Sequence, residues 1–168
     1  MNQVSPWIME HSALLEPDCR VLDLACGRGR HTRFFLMNGH AVTAVDRDLS
    51  GVADLEGYPN LELLEEDLES GRAPSFARQR FGAVVVTNYL FRPLLELLPD
   101  LLTEGGFLIY ETFMAGQEKH GRPANPDFLL QPQELLGLCA GRLRVRHYQE
   151  VENPAGPVLQ RVCAVRES

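Results

Sequence analysis

V-L-D-L-A-C-G-R-G-R-H-T-R-F-F-L-M-N-G-H-A-V-T-A-V-D, residues 21–46, holds two apolar runs separated by a glycine-bearing turn and an aromatic-rich segment. It reads as strand, turn, helix, strand. Residues 21–24 are a short apolar run holding one acid, and Gly27 and Gly29 break it sharply. Glycines there leave room for a ligand to lie against bare backbone. Residues 30–38 carry Phe34, Phe35, Leu36 and Met37 and predict a largely buried helix, with Gly39 at its stop where positive φ is needed. Residues 41–45 predict a second buried strand ending in Asp46. A unit of this kind makes a nucleotide site: N–H groups at the helix start face the ligand, and the second strand's terminal carboxylate accepts from the ribose hydroxyls.

Which nucleotide is decided by departures from the dinucleotide pattern. A G-x-G-x-x-G fingerprint needs a third glycine for close helix–strand packing beneath a pyrophosphate. Here Thr32 stands in that place. Asp23, four residues ahead of Gly27, predicts a carboxylate at the end of the first strand. Such a group repels a pyrophosphate and accepts hydrogen bonds from an ammonium group. D-L-A-C-G-R-G at residues 23–29, with Asp46 beyond, resembles the class I S-adenosylmethionine-dependent methyltransferases. The resemblance implies that Asp23, Ala25, Gly27 and Gly29 hold the methionine part of S-adenosylmethionine and Asp46 its ribose. Arg30, in the first turn of the helix, either pairs with the cofactor's carboxylate or lies along the helix.

Outward from this unit, the composition is that of one soluble domain, residues 1–168: 45% hydrophobic and 23% charged, long enough to bury a sizeable core. Sixteen Lys and Arg against 23 Asp and Glu give a net charge of −7. That balance argues against non-specific binding to nucleic acid or to an anionic membrane and leaves a small-molecule substrate as the expected partner. No apolar run reaches the roughly 18 residues of a membrane span. The N-terminal residues lack a basic region followed by an apolar core, so a cytoplasmic protein is expected. Cys19, Cys26, Cys139 and Cys163 lack C-x-x-C spacing and read as free thiols, with no metal site expected.

The segment 1–18 holds a predicted short helix over residues 7–15 that caps the fold. Trp7, the single tryptophan, either anchors this helix on the sheet edge or presents its indole to the sulfonium and the substrate. After Asp46, residues 47–57 predict a weak helix with Asp48 as N-cap. Residues 61–64 are a third strand, followed by Glu65, Glu66, Asp67 and Leu68. These acids are either a solvated loop or, as the family resemblance implies for an acid and its apolar neighbour here, the adenine contact. Asp67 with Leu68 is the chosen pair and Glu66 the alternative.

Residues 81–86, F-G-A-V-V-V, are apolar on both faces as a central parallel strand must be. They run into Thr87, Asn88, Tyr89 and Leu90, which should meet the ligand beyond the strand's carboxyl end, Asn88 on the cofactor and Tyr89 on the substrate. Asn88-Tyr89 is similar to the N-P-P-[YF] signature of methyltransferases that act on planar amino groups, but both prolines are missing, which counts against DNA bases and glutamine amides. Leu94, Leu95, Leu98, Leu101 and Leu102 fall at helical spacing and read as core, with Pro99 predicting a kink or a broken helix. Gly105-Gly106 turns into a fifth strand, residues 107–110, ending in Glu111.

Residues 114–131 are too rich in glycine and proline for a long helix and too long for an ordinary connection. They read as a surface loop or a substrate lid, with His120, Arg122 and Asn125 as polar contacts and Phe128 as an apolar wall. Residues 132–140 predict a helix, and residues 143–151 and 158–165 an antiparallel hairpin. Five crossover-linked strands and a hairpin make the Rossmann-like, mostly parallel seven-stranded α/β sheet of that family. G-R-G-R-H and N-Y-L-F-R-P resemble most the small bacterial methyltransferases grouped with tellurite-resistance proteins.

Of the other histidines, His11, His40 and His147 read as surface or strand residues, and His31 as bordering the cofactor or facing solvent. The expectation is methyl transfer from S-adenosylmethionine to an O, N, S or chalcogen nucleophile. Tyr89, Glu111 and His120 are the candidate bases where a proton must leave. A non-catalytic binding or partner protein and an NAD-dependent oxidoreductase are the alternatives.

Overall fold

The computed structural model describes residues 3–167. Its centre is the strand–turn–helix–strand unit: β1 (Arg20–Leu24), α2 (Arg30–Met37) and β2 (Ala41–Asp46), preceded by α1 (Pro6–Ser12). A 3₁₀ helix (Leu49–Leu55), capped by Asp48 through Ser50 N, leads to β3 (Leu61–Glu65). Then come β4 (Phe81–Thr87), a short α3 (Arg92–Leu95), a 3₁₀ turn at Leu98–Leu101 and the long β5 (Leu102–Phe113). α4 (Glu134–Cys139), β6 (Arg144–Glu152) and β7 (Val158–Val165) close the chain.

The seven strands form one sheet in the order β3-β2-β1-β4-β5-β7-β6. β1 to β5 pair in parallel, and β7 lies antiparallel between β5 and β6. The strand order reverses between β1 and β4, so the carboxyl ends of those two strands open the crevice where ligands bind in such sheets.

Strand alternation sorts the core into two layers. Leu22, Leu24, Val84, Val86, Leu108 and Tyr110 pack on the side of α3 and α4. Val21, Val42, Ala44, Val85, Ile109 and Cys163 pack on the side of α1 and α2 with Trp7, Ile8 and Phe35. Asp23 has the parity of Val21, and its carboxyl therefore faces α2.

Several expectations are corrected. α2 is amphipathic rather than largely buried: Phe35 is fully enclosed, Phe34 and Leu36 are half-buried and Met37 is 82% exposed. The leucine run from 94 is a broken helix, one of the two outcomes Pro99 allowed: α3 ends at Leu95, Pro99 sits inside the 3₁₀ turn, and Leu102 already pairs with Phe81 as the first residue of β5. The helix predicted over 132–140 starts later, because Gln133 takes a left-handed conformation and caps it. His11 and His40 are buried rather than superficial, His11 bonded to Trp7 O and to His147.

All four cysteines are free. Among the described residues no helix is long and apolar enough to cross a membrane, and no three His, Cys, Asp or Glu side chains are grouped to hold a metal ion.

Candidate active site

The turn after β1 is built by three consecutive left-handed positions at alternate residues: Ala25, Gly27 and Gly29 have φ of 55°, 54° and 69°. The two glycines differ in purpose. A Cβ on Gly27 would meet nothing within 4 Å, so its bare face is open. A Cβ on Gly29 would lie 2.3 Å from Val52 Cγ1, so its missing side chain serves packing of the 3₁₀ helix against the turn and not a ligand. Gly51, which no sequence motif singles out, does the same from the other side: a Cβ there would fall 2.8 Å from Gly27 O.

Asp46 at the end of β2 locks the turn. Its Oδ2 accepts from Gly27 N at 2.8 Å and its Oδ1 from Asp48 N at 3.2 Å. Asp23 is 3% exposed and accepts from Thr32 Oγ1 at 2.6 Å. The threonine in the third-glycine place thus has a function of its own, tying α2 to β1 through a buried carboxyl. Burial, first, raises the Asp23 pKa to about 6, against the lowering effect of Thr32.

Beyond the strand ends lies a cleft of about 420 Å³ lined by Ala25, Asp46, Arg47, Glu66, Asp67, Leu68, Glu69, Asn88, Tyr89 and Phe128. It joins a chamber of about 300 Å³ that shares Glu69, Asn88, Tyr89 and Phe128 with it and reaches Thr112, Phe113 and Pro123. Arg122 and Asn125 line an outer groove beside Phe113, Pro123 and Phe128. Of the residues singled out from the sequence, Ala25, Asp46, Asp67, Leu68, Asn88 and Tyr89 come together in this cleft, with Phe128 as a wall.

Glu66 and Asp67 are spent differently. Both Glu66 oxygens accept from Ser75, its N at 2.9 Å and its Oγ at 2.7 Å. Asp67 uses Oδ1 to hold Glu69 N at 2.9 Å. Asn88 takes φ of 53° at the end of β4, and Tyr110, buried in the core, donates to Tyr89 O at 2.7 Å. That hydroxyl fixes the corner from which Asn88 and Tyr89 project, a role the sequence did not signal.

Other expected residues are placed elsewhere, for physical reasons. Trp7 is 4% exposed, stacked near His11 in the layer beneath the sheet, so its indole faces core and not the cleft. Glu111 is 6% exposed and its two oxygens are taken, one by Ser5 Oγ at 2.8 Å and the other by Arg161 Nε at 2.5 Å. Arg30 reaches Gln3 O at 3.2 Å on the outer side of α2. His31 is buried and neutral: Nε2 accepts from Ser5 N at 3.1 Å, which leaves the Nδ1 proton for Thr87 Oγ1 at 3.4 Å. Burial, then Arg30, lowers its pKa to about 4. His120 is exposed at the end of a 3₁₀ turn (Gln117–Lys119) and lines neither the cleft nor the chamber. Tyr89 does reach the cleft, but burial and the Glu69 carboxylate raise its pKa, so it stands there as a hydroxyl donor.

The segment 114–131 is stapled at its neck. Met114 bridges Leu130, Gln117 Oε1 accepts from Val158 N at 2.8 Å, and Arg92 pairs with Glu134 while bonding Asp127 O and Leu129 O. Arg92 belongs to the quoted N-Y-L-F-R-P run, and holding Phe128 at the cleft is the structural content of that motif.

Comparison with known proteins fits this geometry. Residues 2–73 match the family model described as tellurite resistance protein TehB. TehB from Haemophilus influenzae superposes with a TM-score of 0.76 at 17% identity, over 98% of this chain and 63% of that one, so the chain spans under two thirds of that protein's length. The 1,6-didemethyltoxoflavin-N1-methyltransferase of Burkholderia thailandensis, with bound S-adenosylhomocysteine, gives 0.69 at 21% identity over 96% and 76%. A methyltransferase from Mesorhizobium loti gives 0.72 at 15% over 96% and 99%. No curated protein sequence matches the chain. The chain thus has the class I S-adenosylmethionine-dependent methyltransferase fold, and its first part, residues 2–73, is TehB-like.

Proposed function

We propose that this chain binds S-adenosylmethionine in the cleft and transfers its methyl group to a small-molecule acceptor in the adjoining chamber. The observation that carries the reading is the convergence of Asp46, Asp67 with Leu68, and Asn88 on one cleft at the strand-order reversal, beside the open backbone of Gly27. Asp46 is the acceptor for the ribose hydroxyls, Asp67 for the adenine amino group, and Leu68 the apolar surface under the ring. Gly27 leaves backbone accessible to the methionine part, with Ala25 on the same turn. Asp23 and Gly29 act beneath that turn, holding its shape.

When bound, the cofactor supplies a methyl group already made electrophilic by its sulfonium. The chain's task is then to align the acceptor and exclude water. Tyr89 and Phe128 stand at the junction of cleft and chamber and are placed for that task.

The acids of the cleft, Asp46, Glu66, Asp67 and Glu69, disfavour the pyrophosphate of NAD, and Thr32 fills the position where a dinucleotide fold needs glycine. A protein that binds the cofactor without turnover remains the second reading, favoured by the absence of Glu111 and His120 from the cleft lining.

Thermal unfolding tests the proposal. S-adenosylhomocysteine at a hundred times its Kd adds about 2.7 kcal/mol, which raises the Tm of a domain this size by roughly 5–11 °C. NAD gives no shift. Asp46→Ala removes charged hydrogen bonds of about 1.5–3 kcal/mol each and raises the Kd on the order of 100-fold. Asp46→Asn, which still accepts from Gly27 N, separates lost binding from a collapsed turn. Stabilisation by NAD alone, or an Asp46→Asn protein that binds as tightly as the parent, overturns the assignment.

A further inference from the structure

The chamber beside the cleft has a lining that selects among acceptors. Among the described residues, its lining is Tyr89, Phe113 and Phe128 with Leu90, Pro123, Asn88 and Thr112, the one charged side chain there is the Glu69 carboxylate, and no Lys, Arg or His takes part. Tyr89 Oη donates to Glu69 Oε1 at 3.4 Å, which ties the carboxylate to the aromatic wall. The neighbouring cleft adds three more acids against a single Arg47, and Arg122 lines the outer groove rather than the chamber.

An oxyanion or carboxylate entering this chamber meets like charge and no cationic donor, and it loses its hydration without replacement. An ammonium group meets the opposite: an exposed carboxylate beside aromatic side chains, whose rings attract cations. Flat apolar walls also suit a flat apolar body. Resting on the methyltransferase reading, we infer that the acceptor is a primary or secondary amine carried on a planar apolar body, recognised by Glu69 and the rings of Tyr89, Phe113 and Phe128.

The reaction balances without a dedicated buried base. The bound ammonium gives one proton to water past exposed Glu69, and the freed nitrogen lone pair forms the N–C bond as the C–S bond breaks. The electron pair stays on sulfur. The products are the methylated ammonium ion, the thioether and one proton in solvent.

The test uses the full chain with S-adenosylhomocysteine for binding and labelled S-adenosylmethionine for turnover. The probes are 2-phenylethylamine and tryptamine, their carboxylate counterparts, and tellurite. Calorimetry is expected to give the amines at least ten-fold tighter binding than the carboxylates, and label is expected on the amines alone. Glu69→Gln should raise amine Kd and KM ten-fold or more while moving the S-adenosylhomocysteine Kd less than three-fold. If the homocysteine compound binds but the carboxylates or tellurite bind better or take the label, or the amines neither bind nor react, the amine inference falls while the cofactor reading stands. Equal amine binding by Glu69→Gln and parent overturns the role of Glu69. Failure of the homocysteine compound itself to bind overturns both.

Discussion

Two polar clusters lie along the carboxyl end of one parallel sheet, and they differ in how their hydrogen-bonding capacity is used. In the first, Thr87, His31, Ser5, Glu111 and Arg161 form one continuous chain of contacts from β4 through α1 to β7. Ser5, His31 and Glu111 are each at most 6% exposed. In the second, Asp46, Asp67, Glu69, Asn88 and Tyr89 surround open space, with carboxylates held by one or two backbone N–H groups or a single hydroxyl. The first cluster spends both Glu111 oxygens and both His31 ring nitrogens on its own members and works as a clasp that seats the N-terminal segment on the sheet. The second keeps acceptors facing solvent, which is what a binding site requires. Residue type alone does not separate them, since both hold a carboxylate and a hydroxyl at a strand end.

The comparison breaks most visibly at Glu111. Replacing it by alanine leaves Arg161 and Ser5 without their partner. Breaking a buried pair costs about 3–5 kcal/mol, and because the Arg161 side chain keeps 22% exposure the loss should sit at about 2–3 kcal/mol. Thermal unfolding of Glu111→Ala should therefore show a Tm lower by roughly 4–12 °C, while the S-adenosylhomocysteine Kd moves less than about three-fold. A variant of undiminished Tm that no longer binds would move Glu111 from the clasp to the site.

Asp23 sharpens the comparison, because it belongs to the glycine-turn motif yet is buried against Thr32 like a member of the clasp. Its folded pKa of about 6 lies above the ordinary carboxyl value. The native state then holds the extra proton, so the group's contribution to stability is complete below about pH 4 and is lost as pH rises through 6. Asp23→Asn removes that loss and should stabilise the free protein by about 1–2 kcal/mol at pH 8, with the difference vanishing below pH 4. Paired urea titrations across pH measure it. His31 runs the other way: with its folded pKa lowered to about 4, its contribution is present above about pH 6.5 and is lost as pH falls through 4. Because both proteins keep His31, their difference isolates Asp23. The same substitution should weaken S-adenosylhomocysteine by less than about ten-fold, far short of the Asp46→Ala effect; an equal loss would put the Asp23 carboxylate on the ligand.

The smallest effect is expected at Ala25, a cleft-lining residue in a left-handed conformation. Such a conformation costs a non-glycine residue about 1–2 kcal/mol, part of which glycine returns as unfolded-chain entropy. Ala25→Gly should gain about 0.5–1 kcal/mol, read as a Tm higher by roughly 1–4 °C. A lower Tm would show that the Ala25 methyl group contributes more by packing than its backbone costs.

The sheet and the residues that line the cleft at its strand ends were legible from the chain alone. Hydrophobic runs of strand length, acids at their carboxyl ends and glycines at the first turn are local signals, and the crossover rules leave few ways to assemble them. Asp46, Asp67, Leu68 and Asn88 were legible for that reason: each follows a strand that the periodicity defines, and strand ends in such a sheet converge. Tertiary structure alone decided which polar groups were already satisfied. Glu111, Trp7 and Arg30 read as site residues until Glu111 is seen bonded to Ser5 and Arg161, Trp7 buried in the core and Arg30 bonded to Gln3 O, and Gly29 reads as a ligand contact until Val52 is found against it. Glu69 escaped notice because it lies in an irregular turn after β3, and it meets the aromatic wall only when Tyr89 and Phe128 arrive from residues far along the chain. A side chain's chemistry is written in the sequence; whether it has capacity left for a ligand depends on neighbours distant in the chain, and only the packed structure brings those together.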